Sequence, residues 1–274
     1  MKLKIAFSPC PNDTFIFDAL INHKIDTEGF EFETVLQDVQ ALNQNTEKGE
    51  FDLAKVSYGA YASLAHDYII LNNGSALGFG VGPLLISNAD IDGLDVNSSL
   101  VAIPGENTTA HFLFSTAYTE AKQKIFLRYD EIEQFVLSGK GLGVIIHENR
   151  FTYQDKGLYK VLDLGEYWEK YTGCPIPLGG IVINRKFENQ VRSKIDELIK
   201  KSIEFAFSNY PNLTPFVTSN AQEMSEDVMR KHIDLYVNQY SLGLGEVGKD
   251  AVKKMLQFFN EDLLDNPNLP LFVE

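Results

Sequence analysis

Four short stretches of this chain end an apolar run on small or polar residues: SPCPNDT (8–14), AKVSYGAY (54–61), AIPGENTTAHF (102–112) and IIHENR (145–150). Each reads as a junction where a buried strand hands over to a helix, so each can present side chains and unpaired backbone N–H groups to a common cleft. In the fourth, Val144, Ile145 and Ile146 belong in a buried strand, and His147, Glu148 and Arg150 follow at once. An imidazole at a strand end can act as a general base near neutral pH, its tautomer fixed by a neighbouring carboxylate or carbonyl. A histidine bonded only to its own loop accounts for the same residues. GENTTAHF suggests a second chemistry, anion binding at a helix start, where free N–H groups and the macrodipole act together. Ordinary N-capping by Asn107 or Thr108 explains that stretch as well.

The other polar residues read more plainly. His23, His66 and His232 lie on polar or helical stretches and are expected to be exposed, and His111 to pack. Asn12, Asp13 or Thr14 is expected to cap a helix over 11–24, and Asp18 to lie on its solvated face; whether the first three, or Asn43, touch a ligand stays open. GFGVG (78–82) reads as a hinge or tight crossing, because no helix-opening pattern follows it. There is no P-loop, HExxH, GxSxG or EF-hand pattern, and Cys10 and Cys174 stand far apart with no cluster at zinc spacing. Chemistry without metal or nucleotide is the expectation, with both thiols free in a reducing compartment.

These residues need elements to hold them. Strand, helix, strand, helix, strand and helix are expected in turn over 2–8, 11–24, 30–38, 39–50 and 51–67, a pattern that implies a parallel sheet with helices on both faces. Two β pieces leaving that sheet are expected over 68–88, then strand, turn and helix over 92–118, and helix and strand over 127–148. A β run at 179–185 can cross back, and the rest is mostly helical, with 189–210 amphipathic. Two α/β units joined by two crossings give a bilobed α/β molecule with a central cleft, the domain-closure architecture of periplasmic binding proteins. The expected lobes are 1–85 with 186–274, and 86–185.

A chain of 274 residues, 44% of them hydrophobic, can fill two such cores. Its net charge of −14 repels phosphate backbones and anionic lipid surfaces, so neither nucleic acid nor a membrane is an expected partner, and an anionic ligand needs a site of its own. The apolar run Ile5 to Phe7 is too short for a signal sequence, and no segment is long enough to span a bilayer, so a cytoplasmic location is expected. The sequons at Asn73, Asn97, Asn107 and Asn212 are then chance matches. Phe258 and Phe259 keep both a monomer and a homodimer open.

SPCPNDTFIFDAL, AKVSYGAY, PGENTTAHFL, GVIIHENRFTY and TGCPIPLGGIVINR, in this order from residue 8 to residue 185, together resemble the 1,4-dihydroxy-6-naphthoate synthase family of the futalosine route to menaquinone. The resemblance implies a type II periplasmic-binding-protein-like fold and a cofactor-independent carbon–carbon lyase that converts cyclic dehypoxanthine futalosine to 1,4-dihydroxy-6-naphthoate. It also implies His147 as the general base, and substrate contacts in the segments of Lys55, Val56 and Ser57 and of Thr109 and Ala110. The small-molecule carboxylate substrate would then be held by N–H groups around Thr109 and Ala110 with the Ser57 hydroxyl opposite. Chorismate dehydratase, of the same pathway and fold, is the nearest alternative; a non-enzymatic solute-binding module is the alternative from another class.

Overall fold

A computed structural model describes residues 1–89, 93–222, 225–264 and 266–274. Asp92, which opens the 92–118 reading, lies outside these. The first unit follows the expected alternation: β1 (Lys2–Phe7), α1 (Pro11–Ile21), β2 (Glu31–Leu36), α2 (Val39–Glu47), β3 (Leu53–Ser57) and α3 (Tyr58–Leu64), then the short β4 (Tyr68–Ile70) and β5 (Ala76–Gly78). The second unit comprises β6 (Leu84–Ser87), β7 (Val101–Ile103), α4 (Thr109–Ala117), β8 (Lys124–Phe126), α5 (Ile132–Leu137), β9 (Leu142–Ile145), α6 (Asn149–Thr152), β10 (Tyr159–Asp163) and α7 (Leu164–Thr172). The long β11 (Ile176–Asn184) follows, then α8 (Asn189–Asn209), α9 (Pro215–Asn220), α10 (Glu226–Tyr236) and α11 (Gly245–Leu256).

Two sheets result. The first runs β2-β1-β3-β11-β4, with β5 also on β11; the second runs β10-β6-β9-β7-β8. β1 pairs in parallel with β2 and β3, whereas β11 is antiparallel to β3, β4 and β5. The 68–88 stretch therefore does not leave the first sheet as two pieces: β4 and β5 stay in it, and β6 alone joins the second. A nine-residue β11 is long enough to pair β3 along one edge and both short strands along the other. It can lie so close because it carries Gly179 and Gly180, where a Cβ would fall 2.8 Å from the Val56 carbonyl oxygen and 2.6 Å from Tyr58 Oη. Sheet membership thus puts the crossings between Gly78 and Leu84 and between Asp163 and Ile176, the first a few residues and the second well before the boundary expected from the sequence.

Apolar packing ties the units together. Under the first sheet, α1 and α8 bury Phe7, Ile16, Phe17, Leu198 and Ile199, with Phe7 and Phe17 stacked at 4.2 Å. A second cluster is continuous across both units and includes Tyr58 on α3, Phe114 on α4 and Trp168 on α7. Beside it, Phe258 and Phe259, which follow α11, reach Phe112 on α4 at 5.6 and 4.7 Å, and Phe258 lies 5.6 Å from Trp168. Among the described residues no helix is long and apolar enough to cross a membrane.

The first crossing is tight, as GFGVG suggests. A Cβ on Gly82 would stand 2.3 Å from the Cα of Gly165 at the start of α7, a backbone contact that no rotamer can relieve. Gly82→Ala is expected to destabilise the fold by about 1–3 kcal/mol, read as a lower urea midpoint with an unchanged m-value. An unaltered midpoint would mean that the crossing shifts without cost.

Candidate active site in the interlobe cleft

Between the two sheets lies a cleft of about 720 Å³, counting the solvent at its mouth. The four junctions picked out from the sequence all reach it, and Lys55, Val56, Ser57, Thr109, Ala110 and His147 all line it. So do Asn12, Asp13, His232 and Tyr236.

At the first junction the helix begins earlier than expected. Cys10 is the N-cap of α1 and Pro11 its first residue, a position where the missing N–H costs nothing. Asn12, Asp13 and Thr14 are therefore first-turn residues and not caps. Asp13 is buried and accepts hydrogen bonds from Ser8 Oγ at 2.7 Å and Asn12 Nδ2 at 2.9 Å. Lys55 Nζ lies 3.6 Å from Asp13 Oδ1 and also donates to the Gly74 carbonyl. Burial pulls the Lys55 pKa down from its ordinary value, and Asp13 opposes that shift. Asp18, expected on a solvated face, is buried too, because α8, α9 and α10 cover α1. It is held by Lys24 at 2.6 Å, Asn22 at 2.7 Å and Thr214 at 2.6 Å.

The second and third junctions meet through Asn43 on α2. Its Oδ1 accepts from Ser57 N–H at 2.9 Å; its Nδ2 donates to Ser57 Oγ at 3.1 Å and to the Asn107 carbonyl at 2.7 Å. Ser57 Oγ is engaged there as an acceptor, so its own hydrogen is free for a ligand. Thr108 caps α4, accepting from His111 N–H at 3.2 Å. The cap takes only that N–H, which leaves those of Thr109 and Ala110 to the first turn of a helix start. Capping and a free anion-binding turn thus coexist. Thr109 Oγ1 accepts from Gly59 N–H at 3.0 Å and donates to the Leu178 carbonyl at 2.7 Å, which locks α4 to α3 and β11. Residue 59 has to be glycine for this approach, since a Cβ would sit 2.9 Å from Thr109 N.

The fourth junction carries His147 just beyond β9, with a left-handed φ of 58° that few non-glycine residues adopt. Its half-buried ring lies between those of Tyr129, 5.1 Å away, and His232, 5.9 Å away. Desolvation lowers the His147 pKa from its ordinary value, while Glu148, Asp13 and Asp38 pull it upward. The imidazole is accordingly neutral at neutral pH.

His232 departs most from its sequence reading. Expected to be exposed, it is 1% exposed, and burial holds its pKa well below the ordinary histidine value. Its Nε2 lies 3.0 Å from Asn12 Oδ1. Asn12 Nδ2 already donates to Asp13, so Asn12 Oδ1 accepts and the hydrogen of neutral His232 is assigned to Nε2. The bare Nδ1 then faces Glu148 Oε2 at 3.7 Å. The signal for this burial was present in the sequence: Met229, His232, Ile233 and Tyr236 recur at helical spacing along one face of α10, and all four are buried.

A family described as "Menaquinone biosynthesis" matches residues 3–261. A Thermus thermophilus protein named 1,4-dihydroxy-6-naphthoate synthase is 40% identical over 273 residues, 99% of each chain. A Streptomyces coelicolor protein of the same name is 38% identical over 261 residues, 93% of this chain and 91% of its own. Among solved structures, an Archaeoglobus fulgidus protein superposes with a TM-score of 0.89 at 30% identity, covering 96% of this chain and 98% of its own. The periplasmic aliphatic sulphonate binding protein of Escherichia coli superposes with a TM-score of 0.65 at 10% identity, over 96% and 88%, a likeness of fold alone.

The Asp13–Lys55 pair gives a direct test of how the cleft floor is held. Lys55→Met leaves Asp13 buried without its cation and is expected to destabilise the protein by about 3–5 kcal/mol. Adding Asp13→Asn should recover part of that loss in urea denaturation. A double variant no more stable than the single one would show that the two charges are uncoupled.

Proposed function

Because this chain belongs to the 1,4-dihydroxy-6-naphthoate synthase family of menaquinone biosynthesis, we propose that its cleft cleaves cyclic dehypoxanthine futalosine to 1,4-dihydroxy-6-naphthoate, with His147 as general base. The observation that carries this reading is a neutral, half-buried imidazole in the cleft that also receives the free first turn of α4. The ring carboxylate of the substrate binds the N–H groups of Thr109 and Ala110 and the free Ser57 hydroxyl hydrogen. Lys55 cannot supply the counter-charge, since its ammonium is turned to Asp13 and Gly74. It acts, with Val56, as part of the floor.

With the ring anchored, His147 takes a proton from the sugar-derived portion, and the carbon–carbon bond breaks as in a retro-aldol step. The bonding electrons pass toward the ring system, whose aromatisation drives release of the former sugar portion. Each step asks for one base and no electron acceptor. Closure of the lobes aligns the breaking bond and excludes water. The same reading makes the protein a cytoplasmic lyase, monomeric or homodimeric, that works on a free small molecule.

His147→Asn is expected to lower turnover by about 10²-fold or more while leaving substrate binding largely intact. Incubation with cyclic dehypoxanthine futalosine, followed by chromatography of the naphthoate product, measures the first; calorimetry measures the second. Retained turnover removes the base assignment, dehydration of chorismate instead identifies the sister reaction, and binding without product identifies a solute-binding module. The base works only unprotonated, and burial keeps His147 unprotonated to lower pH. The acid limb of kcat/KM should therefore fall below about pH 6.5, and a limb above that value counts against His147.

A further inference from the structure

Cys10 has no part in the reaction just described, yet it sits beside the base. Cys10 Sγ, a ring nitrogen of His147 and a carboxylate oxygen of Glu148 all lie within 4.8 Å of one another. Cys10 and Glu148 are 1% and 5% exposed. Next to them, His232 Nδ1 and Glu148 Oε2 are buried without a hydrogen-bond partner and 3.7 Å apart. Two lone pairs facing each other out of water repel unless something positive stands between them.

We propose that Cys10, His147, Glu148 and His232 form a binding site for a borderline-soft divalent cation of the zinc class, which when bound occupies the His147 lone pair and silences the base. One sulfur, two imidazole nitrogens and one carboxylate oxygen are a tetrahedral donor set that Zn²⁺ accepts, whereas Mg²⁺ and Ca²⁺ call for oxygen ligands. Bonds of about 2.0–2.3 Å put ligand atoms of such a site roughly 3–4 Å apart. The His232–Glu148 spacing already meets this, and the two remaining donors, Cys10 Sγ and the His147 nitrogen, lie within 4.8 Å of each other and of Glu148 and draw in by side-chain rotation. The support behind the ligands is also in place. Asn12 Oδ1 holds the His232 Nε2 hydrogen, which leaves Nδ1 bare and aimed inward, as metal-binding histidines are usually held. Cys10 releases its thiol proton to solvent when the cation binds. Residues 10, 147, 148 and 232 form no short spacing motif, so the cluster exists only in the folded chain.

The binding needs no assumption about the reaction; the silencing rests on His147 being the base. Co²⁺ added to metal-free protein is the probe. A thiolate-to-cobalt charge-transfer band in the near ultraviolet, with intensified tetrahedral bands in the visible, is expected in the wild type and in Cys174→Ser, and should be missing in Cys10→Ser. Glu148→Gln should keep the thiolate band but weaken Zn²⁺ binding about tenfold or more, which covers the case in which Cys10→Ser folds poorly. Zn²⁺ should displace the cobalt signal and stop naphthoate formation, and a chelator should restore it. Absence of the thiolate band, or its survival in Cys10→Ser, overturns the site. The band together with undiminished turnover in Zn²⁺ overturns the silencing, and the band in a protein without turnover overturns the proposed reaction while leaving the site standing.

Discussion

The side-chain amide of Asn43 uses both of its N–H donors and its carbonyl oxygen, and the cleft depends on those three bonds. Two go to Ser57 in the first unit and one to Asn107 in the second. Leaving such a buried group unpaired costs about 1–3 kcal/mol, so α2 cannot drift from either junction without loss. The Gln40 side chain on the same helix accepts from Asn107 N–H at 3.2 Å and adds a second hold on that loop. With the loop fixed, Thr108 caps α4, and the first turn of that helix faces the same space as Ser57. Geometry at this end of the cleft is thereby set by a helix whose Gln40 and Asn43 side chains are spent on holding the two junctions together.

Electrostatics favour backbone groups as the anion contacts of the proposed binding mode. The chain is acidic overall, and the cleft itself contains the buried Asp13 with Glu148 close by. The cation at its floor, Lys55, is already matched by Asp13. In the proposed binding mode an incoming carboxylate therefore meets oriented N–H and O–H dipoles in place of a free charge, each charge-assisted bond contributing about 1.5–3 kcal/mol. With no help from a neighbouring cation, the neutral state of His147 rests on burial, which outweighs the upward pull of Glu148, Asp13 and Asp38.

Much of this was legible in the sequence, for physical reasons. The end of a buried strand in HENR marked His147 because apolar runs rarely stop on four polar residues unless they reach a solvent-lined space. The alternation of β and α runs gave the first sheet, and the small and capping residues of GENTTAHF gave the start of α4. What stayed hidden involves partners distant in the chain. His232 looked solvated because its neighbours Arg230, Lys231 and Asp234 are charged, although its own helical face is apolar. Asp13 and Asp18 looked like a cap and a solvated face, since nothing local shows that α8 to α10 will cover α1. The placement of β4, β5 and β11 in one sheet depends on Gly179 and Gly180 admitting a close neighbour, which composition alone does not reveal.

The aromatic contact of Phe258 and Phe259 with Phe112 and Trp168 has a mechanical meaning. Two crossing segments by themselves would act like a pair of leaf springs, leaving one unit free to swing on the other about a single axis. The rings add a further attachment, from the end of α11 to α4 and α7, beside the bonds of Asn43 to Asn107 and of Thr109 to Gly59 and Leu178, so a swing of one unit on the other has to slide or part them. Their separation exposes apolar surface at roughly 25 cal/mol per Å². Part of the stiffness between the units is therefore set by side chains that do not line the cleft, and that part can be tuned over evolution without disturbing the residues that do.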